Sequence, residues 1–253
     1  MKVKLTIDRG NTAIKCAAWN SDGTIVATRK GDESLPAADL VRLMAREVFG
    51  NPDEMFDSIA WCTVVASEHA DDVASLQEIC VPHLVDLKAS MPLSVNIAYL
   101  TPATLGADRV AAALGAIEIA GDSRPLLVSD IGTAVTYDYV ADRTFRGGNI
   151  APGIDLRLRA LAAFTDALPA VSVSGGDIPL WGRTTAEAMR SGAVRGIAAE
   201  LAYYHAAAGE EALAVITGGS AEVLVNEHIL TFEYIYDPYL VHRGLYSLIK
   251  DED

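Results

Sequence analysis

The amino-acid sequence predicts an α/β protein made of two duplicated domains, each a mixed sheet with flanking helices, with a cleft between them. The first observation is that short apolar segments typical of strands alternate with longer segments of helical periodicity. The second is that one local pattern occurs twice, as "TIDRGNTAIK" at 6–15 and as "VSDIGTAVTYD" at 128–138. Because Asp8 and Asp130 lie about half the chain apart, we predict domains of residues 1–121 and 122–253.

The first half begins with strands. The segment "VKLTID" alternates in polarity and ends in the first Asp-x-Gly turn, and "IKCAAWN" and "GTIVATRK" flank the turn "NSDG" as a hairpin would. The apolar residues of "AADLVRLMAREVF" recur at helical spacing, and "SIAWCTVV" is a short apolar run typical of a buried strand. A helix at "ASLQEICVPHL", a strand at "LVDLKA" and an alanine-rich helix at "ADRVAAALGAIEIAG" complete this half.

The second half repeats this order. The segment "PLLVSDIGTAVTYDYV" predicts strand, turn and strand, and "TFRGGNIAPG" predicts another strand with a glycine-rich loop. The segments "IDLRLRALAAFTDAL" and "TTAEAMRSGAVRGIAAELAYYHAAAG" predict helices. After them, "ALAVITGGSAEVLVNEHI" predicts strand, glycine loop and helix, and "EYIYDPYLVHRGLYSLI" predicts a final strand and helix.

Composition and charge restrict the function. The 253 residues are 51% hydrophobic and 21% charged, as expected for a globular protein with a substantial core. Twenty basic against thirty-four acidic side chains give a net charge of −14, which argues against binding nucleic acid or an anionic membrane surface. Cys16, Cys62 and Cys80 form no paired motif, so we expect buried thiols in a reducing cytoplasm. We predict neither a signal peptide nor a membrane span.

Each Asp-x-Gly turn places a carboxylate at the end of a strand. The glycine lets a ligand approach the backbone closely, and the following amides and hydroxyls can donate to phosphate oxygens. A carboxylate can hold a cation directly or through water, and Lys15 can balance phosphate charge. One such turn is most often only structural. Two turns at matching strand ends favour a clamp for a polyphosphate and its metal.

Three other stretches are candidates for a site. In "TPATLGADRVAA" at 101–112, Asp108 and Arg109 fall in the first turn of a helix. Asp108 is either a helix cap or a base that takes a proton from a substrate hydroxyl while Arg109 binds a carboxylate, and spacing favours neither. The Gly-Gly pair of "VITGGSA" at 215–221 is either a tight connection or a support for a nucleotide base. The glycines of "FRGGNIAPG" at 145–153 form either a structural loop or a substrate wall.

Taken together, these stretches resemble the type III pantothenate kinase family. The resemblance rests on "DRGNTAIK", "TPATLGADR", "DIGTAVTYD", "GGNIAPGIDLRLRAL", "GRTTAEAMRSG" and "TGG", in that order, from residue 8 to the last helix. It implies two duplicated actin-like (ribonuclease H-like) domains of the acetate and sugar kinase, Hsp70 and actin superfamily. It also implies ATP-dependent phosphorylation of pantothenate to 4′-phosphopantothenate, the first step of coenzyme A synthesis, in the cytoplasm.

The resemblance also assigns roles to residues. Asp108 would be the general base, and Asp130 would bind a monovalent cation, K⁺ or NH₄⁺. Asp8 would hold Mg²⁺ with ATP, directly or through water. Pantothenate would be bound by Tyr99, Gly106, Ala107, Arg109 and, from the partner subunit of a homodimer, Thr185. ATP would be bound by Asp8, Gly10, Asn11, Thr12, Lys15, Gly132, Thr133, Gly218 and Gly219.

Two departures and two rival functions accompany the resemblance. Thr184 stands where the family motif has asparagine, which weakens the expected contact from the partner subunit, and Arg9 fills a variable position of the first turn. One rival is a kinase of the same fold with another acceptor, such as a sugar or acetate. The other is a non-catalytic nucleotide-binding regulator of the same fold, against which the presence of Asp108, Arg109 and Asp130 argues.

Overall fold

The computed structural model describes residues 2–65, 69–79 and 82–251. It divides the chain into two units, Met1–Ile119 together with Tyr239–Asp253, and Ala120–Pro238. Among the described residues, no helix is long and apolar enough to cross a membrane.

The first unit is built on a sheet of five strands. Its strands are β1 (Lys4–Arg9), β2 (Ala13–Trp19), β3 (Ile25–Asp32), β4 (Ser58–Thr63) and β5 (Leu84–Asp86). They lie in the order β3-β2-β1-β4-β5, with β1 antiparallel to β2 and parallel to β4. The helices are α1 (Ala37–Phe49), α2 (His69–Glu78), α3 (Ala107–Ala120) and, from the end of the chain, α7 (Leu240–Ser247). A two-residue strand, β6 (Asn96–Ile97), precedes α3.

Both faces of β1 are buried, and they differ in chemistry. Val3, Leu5 and Ile7 pack into an apolar core with α1. Because successive side chains of a strand point to opposite faces, Lys4 and Thr6 face the other way, and both make hydrogen bonds to α7 or its C-terminal end. Asp8 continues this polar row at the end of the strand, so the row leads to the first Asp-x-Gly turn.

The second unit repeats the strand order of the first. Its strands are β7 (Leu126–Asp130), β8 (Ala134–Ala141), β9 (Thr144–Pro152), β10 (Leu213–Thr217) and β11 (Tyr234–Tyr236), in the order β11-β10-β7-β8-β9. The strand β7 is antiparallel to β8 and parallel to β10, as β1 is to β2 and β4. The helices are α4 (Ile154–Phe164), α5 (Thr185–Ala208) and α6 (Ala221–Asn226). The predicted α/β fold with two duplicated mixed sheets is therefore confirmed.

The structure differs from the sequence-based expectation in three places. The segment from Tyr239 onward groups with the first unit, whereas the predicted second domain ran to the end of the chain. The helix expected at 74–84 is α2, which ends at Glu78. Two glycines of the expected loop at 145–153, Gly147 and Gly148, lie inside β9 near a shift of register against β8, and Gly147 has a φ of +134°. Glycine tolerates that bulge, so the strand continues through it. The third glycine, Gly153, directly precedes α4.

Candidate active site

Strand pairing places two side chains beside Asp8. In the sheet, Asp8 lies opposite Lys15 on β2 and opposite Cys62 on β4. The Cys62 thiol donates to Asp8 Oδ1 across 3.7 Å, and Lys15 Nζ lies 3.6 Å from Asp8 Oδ2. Asp8 is 8% exposed, whereas the Lys15 side chain is 45% exposed. One face of the carboxylate is therefore buried against a thiol, and the other adjoins a solvated ammonium group.

Asp108 lies in the first turn of α3. Its Oδ1 accepts a hydrogen bond of 2.8 Å from the Arg109 amide, the contact expected of a carboxylate at a helix N-terminus. The carboxylate also folds back over Gly106, since a β-carbon on residue 106 would lie 2.4 Å from Asp108 Oδ1. Gly106 is expected to contact the substrate. The structure gives a further reason for glycine at this position, because a larger residue would displace the Asp108 carboxylate.

The surroundings of Asp108 raise the pKa of its carboxyl group. Burial raises the pKa of Asp108, and the negative charge of Asp8 raises it further. The hydrogen bond from the Arg109 amide and the charge of Arg109 lower the pKa of Asp108, but by less. A carboxyl group whose pKa is raised towards neutrality is better suited to general-base catalysis than an exposed one.

The Cys62 thiol stays protonated. Burial raises its pKa well above the ordinary value, and the charges of Asp8 and Asp108 raise it further. Cys62 is therefore a neutral donor to Asp8 and no nucleophile. Cys16 is also buried and free, as expected, while Cys80 lies outside the described residues.

Arg109 and Tyr99 form a pair in the same unit. The Arg109 guanidinium carbon lies 5.7 Å from the centroid of the Tyr99 ring, a cation–π contact. Arg109 is 6% exposed, so its guanidinium is held by packing. Held in this way, the guanidinium loses little freedom when it binds a carboxylate.

Arg9 has a structural role that the sequence analysis missed. It points to the face of β1 opposite Asp8, where its side chain is 2% exposed and its Nε lies 2.5 Å from Asp72 Oδ2. Its other nitrogens donate to the backbone oxygens of Glu33 and Leu35. Arg9 thereby ties the end of β1 to α2 and to the segment that leads into α1. In the sequence, only the alternation of side chains between the two faces of β1 could have indicated that Arg9 is buried.

The second Asp-x-Gly turn is enclosed by glycines. A β-carbon on Gly218, whose φ is +101°, would lie 2.4 Å from Asp130 Oδ1 and 2.5 Å from the Ile131 nitrogen. A β-carbon on Gly132 would lie 3.5 Å from the same Asp130 oxygen, and one on Gly153 would lie 2.1 Å from the Gly132 oxygen. The sequence-predicted residues Asp130, Gly132 and Gly218 are therefore brought together.

Backbone hydrogen bonds fix the loops around this turn. The Ile131 amide donates to the Thr217 oxygen and the Ser220 amide to the Ile131 oxygen, both across 2.9 Å. The Gly153 amide donates to the Thr133 oxygen, also across 2.9 Å. The turn at Asp130 is thus tied to the glycine loop after β10 and to the start of α4.

The remaining predicted residues are mostly accessible to a ligand. Asn11 and Thr12 are exposed between β1 and β2, Thr133 is exposed after Asp130, and Gly219 is exposed with no atom within 4 Å of where a β-carbon would lie. Gly10 and Ala107 are partly buried. Thr185 is the exposed first residue of α5.

Thr184 serves as the N-cap of α5. Its hydroxyl accepts from the Glu187 amide across 3.2 Å, and Glu187 in turn accepts from the Arg183 amide. Thr184 therefore has a capping function at the start of α5.

Asp8 suits a metal ion that takes most of its ligands from a bound phosphate compound and from water. Among the described residues, no three or more of the histidine, cysteine, aspartate and glutamate side chains form a group that could hold a metal ion. Mg²⁺ in phosphoryl-transfer sites typically takes one or two protein carboxylates, with phosphate oxygens and water as its other ligands. Asp8, with one oxygen beside Lys15, fits that limited role.

Comparisons of the sequence with known families and with curated proteins indicate one family. The family model described as type III pantothenate kinase matches residues 4–207. A type III pantothenate kinase from Azobacteroides pseudotrichonymphae is 33% identical over 97% of this chain and 95% of its own. One from Bacteroides fragilis is 34% identical over 98% of each chain.

Solved structures show the same fold at lower identity. A Baf family protein from Campylobacter jejuni superposes with a TM-score of 0.64 at 20% identity, covering 98% of each chain. A ROK family glucokinase from Streptomyces griseus, in complex with glucose and AMPPNP, superposes with a TM-score of 0.54 at 16% identity, covering 97% of this chain and 98% of its own. The family match over most of the sequence, together with relatives above 30% identity along nearly its whole length, shows that this chain belongs to the type III pantothenate kinase family.

Proposed function

We propose that this protein transfers the γ-phosphoryl group of ATP to the primary hydroxyl of pantothenate, forming 4′-phosphopantothenate and ADP, the first step of coenzyme A synthesis. The observation that carries the proposal is the Asp108 carboxylate, held over Gly106 and with its pKa raised by burial and by the charge of Asp8, in a chain of this family. Because ATP is a cytoplasmic substrate, the reaction belongs in the cytoplasm.

Asp108 acts as the general base. It accepts the proton of the pantothenate hydroxyl as the hydroxyl oxygen forms its bond to the γ-phosphorus and the bond from that phosphorus to the β,γ-bridging oxygen breaks. The raised pKa of Asp108 supports this role, since a carboxylate of raised pKa is a stronger base towards the substrate hydroxyl than an ordinary one. Arg109, stacked on Tyr99, binds the substrate carboxylate and aligns the hydroxyl. Gly106 and Ala107 line the same substrate site.

The two aspartate turns bind ATP in this proposal. Gly10, Asn11, Thr12 and Lys15 bind phosphate oxygens of ATP, and Asp8 would hold Mg²⁺, directly or through water, which would neutralise charge on the transferring group. Gly132 and Thr133 bind ATP from the other turn, Gly218 and Gly219 lie near the base, and Asp130 holds K⁺ or NH₄⁺. Support for the second turn comes from Gly218, whose close packing on Asp130 and Ile131 holds the turn in place, and from the exposed Gly219, beside which no atom lies within 4 Å of where a β-carbon would be.

We also propose a homodimer in which Thr185 reaches the substrate of the partner subunit. Large apolar side chains are exposed close to Thr185 in sequence, with Leu180 64% and Trp181 81% exposed, and Phe164 at the end of α4 is 86% exposed. Exposed apolar residues of this size are typical of an interface between subunits. Mixing Asp108→Asn with Thr185→Phe tests the arrangement, since a shared site restores activity in mixed dimers and a site within one subunit does not.

The test of function is ADP release from purified protein with magnesium-ATP and K⁺, measured with and without pantothenate. Pantothenate-dependent release supports the kinase. Release that instead depends on a sugar or acetate would identify another acceptor. ATP binding without any release would favour the non-catalytic regulator. Replacement of K⁺ by Na⁺ should lower the rate, and indifference to the cation would argue against the role given to Asp130.

A further inference from the structure

The C-terminal helix α7 is tied to the strand that carries Asp8. Lys4 Nζ donates to the backbone oxygen of Ile249 and, across 2.9 Å, to that of Lys250. Thr6 Oγ1 lies 3.0 Å from His242 Nδ1 and accepts from Trp19 Nε1 across 2.9 Å. Lys4 and His242 are each at most 5% exposed and Thr6 is fully buried, so these bonds are shielded from water and fix α7 against the polar row of β1.

The same helix crosses α3 with its backbone in direct contact. A β-carbon on Gly244 of α7 would lie 1.8 Å from the Ala111 oxygen of α3. A β-carbon on Gly115 of α3 would lie 2.1 Å from the Leu240 oxygen of α7. In both cases the obstacle is backbone, which cannot rotate away as a side chain can. The two glycines therefore set how closely α3 approaches α7.

Asp108 lies on the α3 face that makes this crossing. Residues 108, 111 and 115 follow the helical spacing i, i+3, i+7, so they share one face of α3. The face that rests on Gly244 therefore carries Asp108 at its N-terminal end. Because a helix moves largely as a rigid body, a displacement at Gly115 is transmitted to Asp108.

We propose that α7 is the positioning element for Asp108: the Gly115–Gly244 crossing, tied to β1 through Lys4 and Thr6, holds the Asp108 carboxylate in its place over Gly106. The expected effect on kcat/KM rests on the proposed function, whereas the expected displacement of Asp108 does not. Gly115, Gly244 and Lys4 are thus positioning residues that touch neither substrate nor ATP.

The test uses Gly244→Ala and Gly115→Ala. A real β-carbon essentially never makes a contact under 3.0 Å, so either alanine forces the helices about 1 Å apart, a misplacement that typically costs about 10²-fold in rate. We expect kcat/KM for pantothenate to fall by about that factor while ATP affinity changes little. The matched control is Gly50→Ala in the same unit, where φ is +75° and no atom lies within 4 Å of the added carbon. It strains the chain at the end of α1 without touching α3.

A second readout needs no activity. Because burial is the largest cause of the raised Asp108 pKa, moving α3 should lower that pKa, and the acid limb of the pH–rate profile should move to lower pH. Carboxyl ¹³C NMR measures the same pKa directly, with Asp108→Asn assigning the resonance. If both alanine variants fail to fold, Lys4→Met, which removes the bonds to the Ile249 and Lys250 oxygens, should show the same changes to a smaller degree.

The outcomes separate the two proposals. A folded Gly244→Ala protein with the wild-type rate and an unchanged Asp108 pKa would overturn the positioning role. An equal loss in Gly50→Ala would also overturn it, since the effect would then be general destabilisation. Wild-type protein without pantothenate-dependent turnover, but with an Asp108 pKa that falls in Gly244→Ala, would refute the proposed function and support the positioning role.

Discussion

Alanine at position 218 is expected to distort the second aspartate turn. The added β-carbon would lie 2.4 Å from Asp130 Oδ1 and 2.5 Å from the nitrogen and oxygen of Ile131, and ordinary contact begins near 3.4 Å. The turn must therefore open by about 1 Å, and such overpacking typically costs about 1–3 kcal/mol. The φ of +101° adds strain of about 1–3 kcal/mol for any residue other than glycine. Together these give a loss of about 2–6 kcal/mol in the free energy of unfolding.

The assay for this change is urea unfolding, with ATP affinity measured by calorimetry on the folded protein. Gly219→Ala is the stability control, because no atom lies within 4 Å of the carbon that it adds, and its free energy of unfolding should change by about 0.5 kcal/mol or less. ATP affinity should fall in Gly218→Ala, since Asp130 and the Ile131 peptide are displaced. A Gly218→Ala protein as stable as Gly219→Ala, and with wild-type ATP affinity, would refute the close packing of Gly218 on Asp130.

Three further predictions concern the first unit. Asp108→Asn should lower turnover roughly 10²–10⁴-fold with ATP affinity nearly unchanged. Asp108→Asn should also raise the free energy of unfolding at pH 7. Because the folded pKa of Asp108 is raised, the carboxyl group contributes most to stability below its ordinary pKa, and this contribution is lost as the pH rises through the folded pKa. The stability difference between Asp108→Asn and the wild-type protein should therefore vanish in acid. Unfolding curves at several pH values check this. Arg9→Met should cost about 3–5 kcal/mol by leaving Asp72 buried and unpaired, and the double variant with Asp72→Leu should recover part of the loss in urea unfolding. Burial raises the pKa of Cys16 to about 12 and that of Cys62 well above its usual range, so peptide mapping after alkylation at pH 8 should find both thiols unlabelled unless the protein is unfolded first.

Local patterns predicted the parts of the fold that depend on neighbours in sequence. The two Asp-x-Gly turns were predictable because strand alternation ends at Asp8 and Asp130 and each glycine permits the turn. The position of Asp108 in the first turn of a helix was predictable from the apolar spacing that follows it. Spacing alone could not separate the cap from the base. The structure shows features of both, since Asp108 accepts from a first-turn amide while burial and the charge of Asp8 raise the pKa of its carboxyl group.

Contacts between distant segments were not predictable in this way. Nothing in "YLVHRGLYSLI" indicates that its histidine reaches Thr6 or that its glycine rests on α3. The burial of Arg9 depends on Asp72, which follows 63 residues later, and arginine is rarely buried without such a partner. The place of Cys62 beside Asp8 depends on the pairing of β1 with β4, which a single sequence does not specify.

The measurement that tests the central claim most directly is identification of the product after incubation with magnesium-ATP, K⁺ and pantothenate. Mass spectrometry and ³¹P NMR should find one new phosphate monoester, on the primary hydroxyl of pantothenate, formed in step with ADP and formed roughly 10²–10⁴-fold more slowly by Asp108→Asn. Unchanged pantothenate with bound ATP, or the same product at the same rate from Asp108→Asn, would contradict the account of this site.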